Sequence, residues 1–173
     1  MKKQIFIING SGGTGKDTFV TFVSKVSNIS VVNFSSVDKV KEIARIIGWN
    51  GGKTEKDRKF LSDLKLLCTD YNNMPFNSMS EKVKEFTESN ETMLFLHIRE
   101  PEEIEKAKVA FGAKTILIKR DKVKQITSNM ADGNVFNYQY NIVVDNDGDL
   151  DDFEKKATEF VNDFNANTMK TNY

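Results

Sequence analysis

The segment Gly10-Ser11-Gly12-Gly13-Thr14-Gly15-Lys16 constrains this chain more than any other stretch of it. Before it lies Ile5-Phe6-Ile7-Ile8, an apolar and mostly β-branched run; after it Phe19, Val20, Phe22, Val23 and Val26 recur at helical spacing. A short run that is apolar throughout suits a strand covered on both faces. The glycines must therefore join a buried strand to an amphipathic helix. In an α/β sheet such a junction lies at the carboxyl ends of the strands, where ligands bind.

The rest of the chain repeats the alternation. Ser30 to Phe34 reads as a second strand, and Val37, Val40, Ile43, Ala44 and Ile47 as one face of a helix ended by Gly48. Trp49 to Lys56 is a glycine-rich connection, and Asp57 to Tyr71 gathers Phe60, Leu61, Leu64 and Leu67 on a helical stripe. Lys82 to Phe86 belongs to another helix, Met93 to Ile98 is a buried strand, Glu102 to Ala110 a helix and Thr115 to Lys119 a strand. Ile142 to Asp145 makes the fifth strand. Asn146-Asp147-Gly148-Asp149 turns the chain into a last helix with Phe153, Ala157, Phe160, Val161 and Phe164 on one face.

This pattern predicts one α/β domain over residues 1–173, a three-layer fold with a five-stranded, mostly parallel sheet flanked by helices. Asp121 to Tyr140 is long, polar and without apolar periodicity, and is expected to act as a short lid. Residues 165–173 are polar and are expected to fray.

Charge narrows the partners. Twenty-five Lys plus Arg balance twenty-five Asp plus Glu, which leaves no overall electrostatic footprint for nucleic acid or an anionic membrane. Any basic site must be local. The one cysteine, Cys68, cannot form an internal disulfide and fits a reducing, cytoplasmic setting. Asn9 and Gly10 break the first apolar run too early for a signal peptide, and nothing approaches the roughly 18 apolar residues that span a bilayer.

The glycine segment has the chemistry of phosphate binding. Glycines let successive N–H groups converge on phosphate oxygens, and the following helix presents its positive end. Gly10 and Gly15 stand at P-loop spacing with Lys16 next, a mobile cation for the outer phosphates. The alternative is a plain glycine-rich turn, which the flanking strand and helix disfavour. One departure matters: Asp17 occupies the place of the usual magnesium-holding Ser or Thr, and Thr18 follows it. Asp17 then either organises a hydrated magnesium or points away, with the Thr18 hydroxyl on a phosphate.

Gly15-Lys16-Asp17-Thr18 resembles the loop of the deoxynucleoside monophosphate kinases of phages and bacteria, relatives of adenylate kinase. The resemblance continues in family order. Ser35-Ser36-Val37-Asp38-Lys39-Val40-Lys41 is similar to the family's Ser-x-x-Asp-x-x-Lys pattern, and Lys53 to Arg58, with Leu61 after it, to its Lys-x-x-Arg helix start. Ile98-Arg99-Glu100-Pro101-Glu102-Glu103, Arg120 and Asn146-Asp147-Gly148 match the ends of the later strands. The resemblance implies ATP and Mg2+ as cofactors, a small phosphorylated acceptor such as a nucleotide as partner, and transfer of a phosphoryl group. Dephospho-coenzyme A kinase and phosphomevalonate kinase share the architecture and remain alternatives. So does an accessory P-loop protein that binds nucleotide without efficient transfer.

Phosphoryl transfer needs positioned cations with a carboxylate and magnesium. Lys16 leads that set, and Arg99 and Arg120 end strands at the ligand edge; Arg58 joins them from the helical region. Asp38 either orients magnesium or takes a proton from the acceptor, or is simply a carboxylate favoured at a helix N-terminus. Ser35 shares that ambiguity, and Lys41, at i+3 from Asp38, either pairs with it or meets substrate. His97, the only histidine, reads as a buried, hydrogen-bonded residue of the core. Lys119, Arg120, Lys122 and Lys124 form a basic cluster leading into the lid, and no Asn-Lys-x-Asp guanine motif is present. Whether the chain is a monomer or a homodimer is not written in it.

Overall fold

A computed structural model describes residues 3–26, 29–122 and 135–173. The elements run β1 (Gln4–Asn9), α1 (Lys16–Lys25), β2 (Val31–Ser35), α2 (Asp38–Ile46), α3 (Glu55–Asn72), α4 (Met74–Glu88), β3 (Met93–His97), α5 (Pro101–Phe111), β4 (Lys114–Lys119), β5 (Ile142–Asp145) and α6 (Leu150–Ala166), with a 3-10 turn at Val135–Asn137 before β5. Each of the five strands pairs in parallel, in the order β2-β3-β1-β4-β5. The sheet expected to be mostly parallel is wholly so.

Period-two alternation explains why the strands read as unbroken apolar runs. Phe6 and Ile8 of β1 join the core cluster with α1 and α6, while Ile7 between them joins the opposite cluster with α4 and α5. β3 divides likewise: Met93 and Phe95 to one side, Leu94 and Leu96 to the other. The first cluster is aromatic. Phe6 stacks on Phe95 at 5.3 Å between ring centroids, and Phe160 of α6 meets Phe6 at 5.2 Å and Phe19 at 5.3 Å. Burying each such ring contributes about 1.5–3 kcal/mol, enough to lock α1 and α6 against one face of β1.

The helix ends follow local chemistry. Thr54 and Asp57 form a reciprocal capping box that starts α3, Pro101 opens α5, and Gly112 at φ 61° ends it. Asp149 caps α6 by accepting from the Asp152 N–H at 2.9 Å.

The stripe of α3 is half-buried at Phe60, Leu61 and Leu64 and 66% exposed at Leu67, and Lys65 is the residue that this helix buries. Its ammonium lies 2.8 Å from both Glu100 and Glu103 at the start of α5. An ion-pair triad thus ties α3 to the start of α5, while the helix also packs on α2 and α4.

The C-terminal residues do not fray. After Asn167, left-handed at φ 62°, the chain returns along β5, where Val143 N–H donates to Thr171 O, Tyr173 N–H to Val143 O and Asp145 N–H to Tyr173 O at 2.7–3.0 Å. An edge strand offers unpaired backbone groups, and the tail satisfies them. Tyr173 also packs on Phe160 at 5.8 Å and donates its hydroxyl to Asp163.

The expected lid, Asp121 to Tyr140, falls largely on residues 123–134, which lie outside the described residues, as does Lys124. Among the described residues no helix is long and apolar enough to cross a membrane.

Candidate functional site

The loop from Gly10 to Gly15 leaves β1 and folds over the carboxyl edge of the sheet. Glycine is required at both ends. A Cβ on Gly10 would stand 2.5 Å from Ile118 O and 2.6 Å from Thr14 Oγ1. On Gly15, left-handed at φ 99°, it would stand 2.6 Å from Asn146 Nδ2 and 3.2 Å from the Phe153 ring. Thr14 closes the turn, its N–H at 3.3 Å and its hydroxyl at 3.0 Å donating to Ser11 O. Asn146, just past β5, donates to Thr14 O at 2.8 Å and braces the loop from outside.

Lys16 opens α1 and reaches back across the loop, its ammonium donating to Gly10 O at 2.6 Å and Ser11 O at 3.0 Å. Ser11 and Thr14 are buried, and the Ser11 Oγ is buried without a hydrogen-bond partner. A buried polar atom left unpaired costs about 1–3 kcal/mol. An anion in the loop would give it an acceptor.

Around the loop stand the ends of β2 and β3. His97 ends β3, and its Nε2 lies 2.7 Å from Asn33 Oδ1 on β2 and 3.8 Å from Asp17 Oδ1 on α1. Burial pushes the imidazole down to about 4; the Asp17 and Asp38 carboxylates oppose that shift, and Lys16 and Lys41 reinforce it. The ring is therefore neutral near pH 7, and with Asn33 assigned as acceptor the proton sits on Nε2. These four charged neighbours place His97 between the loop and the start of α2. Asp38 accepts from the Ser35 N–H at 2.8 Å and faces the Lys41 ammonium at 3.4 Å. It therefore shapes the turn into its own helix, while both side chains stay partly exposed.

Asn9, the last residue of β1, is fully buried and bonds three ways. Its Oδ1 accepts from the Gly10 N–H at 2.8 Å, and its Nδ2 donates to Arg99 O at 3.1 Å and to the Tyr140 hydroxyl at 2.7 Å.

With its glycine loop between β1 and α1 on a parallel sheet of order 2-3-1-4-5, the chain matches solved structures over most of its length. The chain is similar to a shikimate kinase from Aquifex aeolicus (TM-score 0.52, 13% identity, 94% of this chain and 98% of that one). The chain has that kinase's fold. A sugar kinase from a Janibacter species matches at a TM-score of 0.51 with 11% identity, over 94% of this chain and 95% of that one. A gluconokinase from Sinorhizobium meliloti matches at 0.50 with 12% identity, over 95% and 94%. No protein-family model and no curated protein matches the chain.

Within this fold the structure brings Lys16, Asp17, Asp38 and Lys41 around His97, with Ser35 beside Asp38. Gly12 and Thr18 are half-buried, Gly13 is exposed, and the Asp17 side chain points outward at 88% exposure. Arg99 and Arg120 follow β3 and β4 at the loop edge of the sheet, and the Arg120 Nε is buried without a hydrogen-bond partner. Arg58 is exposed in the first turn of α3, a helix that packs on α2 and α4. The sequence reading missed Asn9 and Asn33, and it singled out Asn146 only within the Asn146-Asp147-Gly148 match, not as the brace on Thr14. The available signal was a polar residue closing an apolar strand at Asn9 and Asn146. His97 is hydrogen-bonded and largely buried as expected, but it sits at the site rather than in the body of the core.

Proposed function

We propose that this chain is an ATP-dependent small-molecule kinase whose acceptor is a nucleoside or deoxynucleoside monophosphate. The observation that carries the reading is the loop itself: a backbone cradle closed by two sterically required glycines, crossed by the Lys16 ammonium and holding the unpaired Ser11 hydroxyl. These groups fit the phosphates of ATP. Thr18 and the exposed Asp17 carboxylate fit magnesium, the carboxylate gaining a cation to offset its repulsion of phosphate. When bound, ATP supplies the phosphoryl group and magnesium neutralises phosphate charge.

The chain's own residues then bind and orient. Lys16 holds outer phosphate oxygens, and Arg99 and Arg120 neutralise negative charge at the mouth of the loop. Ser35, Asp38 and Lys41 lie on the acceptor side, Lys41 as a cation for the acceptor's phosphate and Asp38 as the carboxylate that receives its proton or orients the metal. The neutral His97 keeps that side free of a further charge. Arg58, on α3, supplies a further cation for the acceptor. ADP release measured across the common ribo- and deoxynucleoside monophosphates tests the reading. Turnover that depends on one of them supports it, and no acceptor-dependent turnover with any of them sinks it.

A second reading, an accessory protein that binds nucleotide without efficient transfer, draws on one observation: β3 ends in His97 where P-loop enzymes that position a hydrolytic water carry an acid. Tight ATP binding by calorimetry with no transfer in single-turnover experiments would favour it.

A further inference from the structure

We infer that Asn9 is a positioning residue that fixes Arg99 against the phosphate loop, an inference that rests on the kinase reading above. The parallel ladder between β1 and β3 ends at the pair Ile8 and His97. Beyond it the two chains part, one into the loop at Gly10 and the other through Ile98 and Arg99 into α5. No backbone rung between the strands is left to set their spacing where the phosphates and Arg99 must face each other.

The Asn9 side chain supplies that rung. Its carbonyl end receives the first N–H of the loop, from Gly10 at 2.8 Å, and its amide end donates to the Arg99 carbonyl at 3.1 Å, across 90 residues of sequence. The second amide hydrogen goes to the Tyr140 hydroxyl at 2.7 Å, which in turn donates to Val135 O at 2.8 Å. One fully buried amide thus ties together the loop, the Arg99 main chain and the strand approach 135–140. Only an amide serves all three, since it offers an acceptor and two donors on a short stem. A carboxylate lacks the donors, and a hydroxyl lacks the reach. The acid-free exit of β3 makes the demand sharper, because Arg99 is the first charged group after that strand.

The experiment is a double-mutant cycle on steady-state turnover, with Asn9→Ser and Asn9→Asp each combined with Arg99→Ala. Asn9→Asp keeps an acceptor for the Gly10 N–H and loses the donation to Arg99, and Asn9→Ser, too short to reach the Arg99 carbonyl, loses that donation as well. Misplacing a catalytic group by an ångström costs up to about 100-fold. Each single variant is therefore expected to lower kcat about 10- to 100-fold, with KM for ATP changed less than about threefold. In the Arg99→Ala background the same substitutions are expected to cost less than about threefold, because the residue they position is gone. Equal losses in both backgrounds, or a loss confined to KM for ATP, would overturn the inference. The serine variant adds no buried charge, so it decides the matter where the aspartate variant fails to fold. Wild-type protein without turnover would overturn the kinase reading and the inference with it; wild-type turnover with additive losses would overturn the Asn9 role alone.

Discussion

Replacing Lys65 by methionine should destabilise the fold in a way that depends on pH. The Lys65 ammonium lies 2.8 Å from Glu100 Oε2 and 2.8 Å from Glu103 Oε2, in a residue 9% exposed. Burial by itself raises Glu100, but the Lys65 charge and hydrogen bond outweigh it and hold this carboxyl below its usual range. Burial, with the Glu100 charge adding to it, leaves Glu103 above the usual range despite Lys65. Methionine fills the space and removes the cation, so two carboxylates face each other across a half-buried gap. Removing one partner of a buried pair costs about 3–5 kcal/mol. The carboxylates here keep 38% and 28% side-chain exposure, and solvent screening brings the expectation to about 2–3 kcal/mol at pH 7. In wild type the lowered Glu100 contributes stability above its unfolded pKa, and that stability is lost as pH falls through its folded value. Without Lys65 both carboxyls titrate higher, so the variant's deficit should shrink as pH falls from about 7 to about 5. Urea unfolding followed by circular dichroism at both pH values, with Glu100→Gln added as a partial rescue, measures this. A loss below about 0.5 kcal/mol at both pH values would refute the packing account of α3.

Other substitutions probe separate links. Gly15→Ala should cost about 2–4 kcal/mol in urea unfolding, from its φ of 99° and the Cβ approach of 2.6 Å to Asn146, and an unchanged midpoint would count against the loop geometry. Phe160→Ala should lose about 3–5 kcal/mol, since that ring touches Phe6, Phe19, Phe95 and Tyr173; a loss under about 1 kcal/mol would mean that α6 does not anchor the sheet. Tyr173→Ala should weaken the fold by about 1–2 kcal/mol and speed hydrogen exchange at the Val143 and Asp145 amides, and wild-type protection there would detach the tail from β5.

The strands and the loop were legible because their requirements are local. Phe6 and Ile8 face one cluster and Ile7 the other, so the middle of β1 had to be apolar on both faces, and the tight approaches at Gly10 and Gly15 admit no side chain. Periodicity found the α3 helix but not its buried Lys65, because it ranks apolar residues and is blind to a lysine whose two counter-charges lie more than thirty positions away. The tail misled for a related reason. Residues 171–173 are held through backbone groups and one aromatic ring, which a polar composition does not announce. His97 was placed in a strand correctly, but its place beside Asp17 depends on β3 lying between β1 and β2, a topology that composition does not encode. Asn9 shows the limit most plainly, since its partners are 90 and 131 residues away.

The central claim is that Gly10 to Thr18 binds the phosphates of ATP, and calorimetric titration of wild type and Lys16→Ala with ATP and magnesium tests it most directly. Lys16 contributes charge-assisted hydrogen bonds worth about 1.5–3 kcal/mol each to a phosphate, so the account predicts that wild type binds and that the variant binds about 10- to 100-fold more weakly or not at all. Equal affinity in the two proteins, or no binding by wild type, would contradict it.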